Sequence, residues 1–157
     1  MLLRNKIFIV AACALVCLAA GTASGLTTIA EIKTWYVSIQ KPSWNPPNWI
    51  FGPVWSTLYV LMGIALGLVI IQPKGNRRMA ITLFAIQFVL NMAWSFIFFK
   101  MHNITLALAE IAAMWVMILA TIVTFSKINK TAAWLLVPYI SWVSFASLLT
   151  FTIWRLN

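Results

Sequence analysis

Five long apolar runs parted by short polar links constrain this chain more than anything else in it. They are approximately Ile7–Leu26, Pro47–Ile71, Met79–Phe99, Thr105–Phe125 and Ala132–Ile153. At ~1.5 Å per helical residue, each can cross a hydrocarbon core of ~30 Å. The links between the last four read QPKGNRR, KMHNI and SKINK. Links that short hold neighbouring helices antiparallel. No stretch alternates with period two over the length of a barrel strand, which excludes a membrane barrel. The sequence therefore predicts an all-α integral membrane bundle of five transmembrane helices. It forms a single domain over residues 1–157, with a structured loop between helices one and two.

Composition agrees. Only 8% of the residues are charged, against about 25% in a soluble domain, so the solvent for most of this surface is lipid. The formal charge of +9 comes from eleven Lys and Arg against two acids. The basic residues stand singly or in pairs between apolar runs, the pattern of membrane-flanking anchors. No contiguous basic face is present, so nucleic acid is not an expected partner. Cys13 and Cys17 share one helix face and cannot pair within a regular helix; they read as small buried apolar residues. Run one has a second reading. Arg4 and Lys6, the apolar stretch and the small residues AAGTASG also describe a secretory signal peptide, but ~20 apolar residues exceed the usual ~7–15, which favours a retained helix. Placing the N-terminus inside puts seven basic residues (Arg4, Lys6, Lys74, Arg77, Arg78, Lys127, Lys130) on inner segments. Four (Lys33, Lys41, Lys100, Arg155) fall on outer ones. That bias predicts an inner N-terminus and an outer C-terminus in a bacterial cytoplasmic membrane. The loop Thr27–Asn45 then lies outside.

The segment from Trp35 to Gly63 is unlike the rest. It holds four of the nine tryptophans (Trp35, Trp44, Trp49, Trp55) and four of the six prolines (Pro42, Pro46, Pro47, Pro53). Asn45 is an expected cap for helix two, with the following prolines in its first turn. Pro53 is expected to loosen that helix near its outer end. Three helix faces mix aromatic and hydrogen-bonding side chains: Trp55, Tyr59 and Met62; Asn91, Trp94, Ser95 and Phe98; Tyr139, Trp142 and Ala146. A lipid-facing stripe has little use for Asn, Ser and Tyr together. Either these faces line an aromatic cavity in the outer half of the bundle, or they pack as a polar-aromatic core. Ala109 and Ala113 allow close helix approach, at a dimer face or inside the bundle.

Glu110 is the one acid inside an apolar run, at a depth of ~9 Å. No basic residue lies in a helix core. A hydrogen bond to Asn91 or Ser95 is therefore expected rather than a salt bridge, with ligand contact or proton handling as the alternative. The familiar enzyme constellations are missing. His102 is a single histidine in a turn, without partners for a metal site. No phosphate loop or Ser/His/Asp set is present, and two acids are too few for paired-carboxylate catalysis.

The stretch W-Y-x-x-x-x-K-P-x-W-x-P-P-x-W-x-F-G-P-V-W-x-x-L-Y-x-x-M-G (Trp35 to Gly63) resembles the signature of the TspO/translocator protein family, also called tryptophan-rich sensory proteins or peripheral-type benzodiazepine receptors. N-x-x-W-S-x-x-F-F (Asn91 to Phe99), Glu110 and P-Y-x-x-W-V-x-F-A (Pro138 to Ala146) extend the likeness over essentially the whole chain. The resemblance implies a retained first helix and commonly a homodimer. It implies a receptor, sensor or transporter that binds porphyrins, haem-related tetrapyrroles, sterols in animal members and benzodiazepine-site ligands. Porphyrin or haem would be a ligand rather than an obligatory cofactor. Carried onto this chain, the implied ligand-binding residues are Trp35, Tyr36, Trp44, Pro46, Trp55, Asn91, Trp94, Tyr139, Trp142, Phe145, Ala146 and Ser147. Tyr59, Ser95 and Glu110 join them from the face and depth arguments above. Trp55 and Trp142 match the tryptophans associated with light-dependent protoporphyrin breakdown, the implied catalytic pair. Two departures stand out. Thr150 replaces an asparagine common at that position in the family. The animal sterol pattern, a Tyr closely followed by Lys or Arg, is absent near the C-terminus.

Overall fold

The computed structural model describes residues 2–73 and 75–157; Lys74, one of the anchors counted above, lies outside them. Its helices are α1 (Leu3–Ile32), α2 (Trp35–Ser38), α3 (Asn48–Ile70), α4 (Arg77–Ser95, continued by a π-helical turn over Phe96–Lys100), α5 (Ile104–Ser126), α6 (Lys130–Leu135) and α7 (Val137–Leu156). Among the described residues there is no strand. Five stretches are long and apolar enough to cross a membrane: α1, α3, α4 with its π turn, α5, and α6 with α7. The protein is an all-α membrane bundle of five spans.

Three asparagines start helices after the short links. Asn76, Asn103 and Asn129 accept from the backbone N–H of Met79, Leu106 and Ala132 at 3.1, 2.9 and 3.1 Å. Each satisfies one of the amides that a helix start leaves without an internal partner. The spans close into a ring in which α1 neighbours α3 and α4, α5 packs on α4 and α7, and α6 packs on α3. Large apolar side chains such as Phe8, Val16, Val89 and Val116 face outward, as a bundle solvated by lipid requires.

The two ends of the bundle are packed differently. The segment between α1 and α3, residues 34–47 with α2 in it, forms a lid over one end of the bundle, and at the end away from it α1 and α3 meet backbone to backbone. A Cβ on Gly63 would lie 2.4 Å from the Cα of Ala14, and one on Gly67 2.7 Å from the Cα of Val10. Fully buried Met62, Ala65, Val69, Ile118 and Phe125 fill the centre there. There α3 also packs on α6, whereas it touches much less of α7, which runs on toward the other end, so the bundle opens as it approaches the loop between α1 and α3.

Three boundaries differ from the sequence expectations. α1 runs on past Leu26 to Ile32, because hydropathy marks where the hydrocarbon ends, not where the helix does. Asn45 does not cap α3. That helix starts at Asn48 behind Pro47, and the Asn45 side chain serves the lid instead, accepting from Tyr36 Oη at 2.8 Å and donating to the Pro46 carbonyl at 3.1 Å. The last span begins at Lys130 and breaks at Leu136. Pro138 has no N–H to give the preceding turn and its ring crowds that turn, so α7 restarts with the proline in its first turn.

Candidate functional site

The opening at the lid end is a cavity of about 480 Å³, within the ~300–1,000 Å³ range of small-molecule sites. Four spans and the lid build its wall. α1 gives Gly21, Thr22, Gly25, Thr28, Ile29 and Ile32, followed by Lys33. α3 gives Asn48, Trp49, Phe51, Gly52, Trp55, Ser56 and Tyr59. α4 and its π turn give Trp94, Ser95, Phe98 and Phe99. α7 gives Trp142, Ala146, Leu149, Thr150 and Ile153, and Tyr36 comes from the lid.

The aromatic wall is made of mutually supporting pairs. Trp55 stacks on Tyr59 with ring centroids 5.6 Å apart, Trp94 on Phe98 at 4.8 Å, and Trp142 meets Phe51 edge-on at 6.1 Å. Pairs like these hold flat surfaces in fixed orientations. The π turn contributes directly. Its extra residue per turn brings Phe98 and Phe99 to one side, 4.9 Å apart and both buried, as such bulges do at many functional sites.

Beneath the aromatic layer runs a buried hydrogen-bond chain. Tyr59 Oη donates to Asn91 Oδ1 at 2.8 Å, Asn91 Nδ2 donates to Tyr139 Oη at 3.0 Å, and Tyr139 Oη donates to Gln87 Oε1 at 2.8 Å. One chain thus ties α3, α4 and α7 together under the cavity. Glu110 lacks the expected bond to Asn91 or Ser95, and the Asn91 amide is already engaged by the two tyrosines. Among the described residues both carboxyl oxygens of Glu110 are buried without a partner, as are Gln87 Nε2 and Trp94 Nε1.

The lid is braced from within by Lys41 and fastened to the bundle at two points. The Lys41 ammonium donates to the carbonyls of Tyr36 and Ile39 and sits 4.8 Å over the Tyr36 ring. Asn157 brackets Gln40, accepting from its N–H at 3.0 Å and donating to its carbonyl at 2.9 Å. Trp35 stacks on His102 at 4.4 Å, and His102 Nε2 lies 3.2 Å from Glu31 Oε2. His102 carries a positive φ of 53°, the tight turn that lets its ring lie on Trp35. Burial pushes the Tyr36 phenol up to about 12, against the opposing pull of its bond to Asn45.

Of the residues singled out from the sequence, Tyr36, Trp55, Tyr59, Trp94, Ser95, Trp142 and Ala146 come together on the cavity wall. Asn91 and Tyr139 lie under it in the hydrogen-bond chain. Trp35 fastens the lid, and Phe145 stands between Trp44 and Trp142, at 5.9 and 5.4 Å. The Pro46 carbonyl belongs to the lid, and Ser147 Oγ donates to the Val143 carbonyl of its own helix at 2.7 Å. The α1 wall was not among the expected residues. Its signal is the tail Gly21, Thr22, Gly25 and Thr28, a small and hydroxylic face at helical spacing.

The family model described as TspO/MBR family matches residues 13–155. The chain belongs to the TspO/MBR family. It is 42% identical to the tryptophan-rich protein TspO of Chlorobaculum tepidum, over 99% of both chains. It is 39% identical to the human translocator protein over 78% of this chain and 75% of that one. With the tryptophan-rich sensory protein of Cereibacter sphaeroides it shares 38% identity over 83% of each. This TspO/MBR member is an integral membrane protein that crosses the bilayer several times.

Proposed function

We propose that this protein is a membrane receptor or sensor that binds a porphyrin or related tetrapyrrole in the lid-end cavity. The observation that carries the reading is the wall itself. Trp55, Trp94 and Trp142 line one cavity of about 480 Å³ and offer broad π faces to a flat apolar ligand. Hydroxyls of Thr28, Ser56 and Thr150 are spaced around the same wall, which suits a ligand with polar groups at its edge. The test is titration of the detergent-solubilised protein with protoporphyrin IX, read by tryptophan fluorescence. Saturable quenching is expected, with affinity at least about ten-fold weaker in Trp142→Ala at unchanged melting temperature. Linear, non-saturating quenching in the wild type overturns the reading. A second reading, breakdown of the bound pigment in light, draws on Trp55 and Trp142 lining the same space. It predicts a product whose formation slows in Trp55→Phe and Trp142→Phe. Equal rates with free pigment in detergent would rule it out.

A further inference from the structure

The cavity wall carries one charged side chain among the described residues, Lys33. It sits just past the end of α1. The other basic residues at this end are engaged or elsewhere. The Lys41 ammonium is committed to the carbonyls of Tyr36 and Ile39, while Lys100 and Arg155 do not line the cavity. The acid nearest in sequence, Glu31, faces His102. Among the described residues the Lys33 ammonium has neither an ion pair nor a hydrogen bond. The wall also includes Asn48 and Trp49 at the start of α3, polar and aromatic but uncharged. The rest of the wall is apolar, aromatic or hydroxylic. The site is therefore electrostatically one-sided: flat apolar walls inside and a single uncompensated positive charge at the rim.

We infer that Lys33 selects ligands bearing an acid group at one edge, so that the cavity favours a flat apolar anion over its neutral counterpart. This rests on the pigment-binding reading above and names the ligand feature that reading leaves open. The aromatic rings hold the body of the ligand, and its carboxylate stays at the wet rim beside Lys33, where the charge keeps part of its hydration. Attraction there is stronger than in bulk water, because the apolar wall lowers the local dielectric, yet it stays within the modest range of partly exposed pairs. The competing role is an anchor, a cation at a helix C-terminus that meets lipid phosphate. That role gives no preference between charged and neutral ligands.

The test compares protoporphyrin IX with its dimethyl ester, which keeps the ring and removes the charges. Binding is measured in phosphatidylcholine nanodiscs for the wild type, Lys33→Gln and Lys33→Arg. Partitioning of the two pigments into lipid is common to all three proteins and cancels when the acid-to-ester affinity ratios are compared between them. The ratio should fall about two- to five-fold in Lys33→Gln and stay near the wild-type value in Lys33→Arg. Affinity for the ester should not change. Raising the salt should shrink the wild-type ratio toward that of Lys33→Gln. The same ratio in wild type and Lys33→Gln overturns the inference and leaves Lys33 as a lipid anchor. Ester binding in that case preserves the pigment-binding reading. Failure of the wild type to bind either pigment overturns that reading, and this inference with it.

Discussion

Gly63 and Gly52 lie on the same helix and do opposite work. A Cβ on Gly63 would run into the backbone of Ala14 and Cys13 at 2.4–2.7 Å, whereas one on Gly52 meets nothing within 4 Å. The same contrast holds for the two halves of the bundle. Away from the lid, small residues bring α1 and α3 into direct backbone contact, the packing that helix association in lipid favours. At the lid, Gly25 and Gly52 leave space unfilled, and the large side chains around it are aromatic. One half closes the ring of helices so that the other can stay open. Gly21 marks the border, since a Cβ there would strike the Tyr59 ring at 2.3 Å.

The sharpest way to break this contrast is to put one side chain at both positions. Gly63→Leu should cost about 3 kcal/mol through overpacking against α1. Gly52→Leu should leave stability unchanged or raised by under ~1 kcal/mol, from improved helix propensity. Thermal unfolding in detergent distinguishes them, and equal losses would mean that the lid half is packed as tightly as the other. A smaller effect is expected at the boundary between the halves. Tyr139→Phe leaves Asn91 Nδ2 and Gln87 Oε1 without their partner and should cost about 1–2 kcal/mol. No change in melting temperature would show that the buried chain does not join the halves.

The lid supplies the weaker tests. Asn157→Ala removes the bracket on Gln40 and should speed hydrogen exchange of the Gln40 amide about five-fold. Unaltered exchange there would detach the C-terminus from lid closure. Raising the pH reads the docking of Tyr36. Its phenol is pushed from 10.0 up to about 12, so the folded state holds this proton more tightly than the unfolded one. The associated stability is complete below about pH 10 and is lost as pH rises toward about 12. Tyrosinate absorbance should show late titration in the wild type whose amplitude falls by one tyrosine of the three in Tyr36→Phe. An ordinary titration of all three would contradict a buried Tyr36.

Much of this was legible in the sequence, because lipid imposes a length and a composition on every span. Trp55 with Tyr59, Trp94 with Ser95, and Trp142 with Ala146 could be placed on common faces from helical spacing, and each pair lines the cavity. Spacing says which side chains share a face but not what they meet. Asn91 and Tyr139 lie on those faces, yet they bond one another beneath the wall. Trp35 reads equally well as a ligand contact or a fastening, and its partner His102 belongs to a turn far along the chain. The α1 wall was hidden because Gly21, Thr22 and Gly25 also fit the small-residue tail of a signal peptide. The break at Leu136 was there to read in Pro138, while the π turn at Phe96–Lys100 has no comparable residue to announce it.

The claim that the open half is a ligand site meets its most direct test in Gly52→Leu, which adds a side chain to the cavity wall without touching the closed half. Protoporphyrin IX titrations of this variant and the wild type, at matched melting temperature, should show at least a ten-fold loss of affinity. Undiminished saturable binding by Gly52→Leu would place the pigment elsewhere and contradict the account.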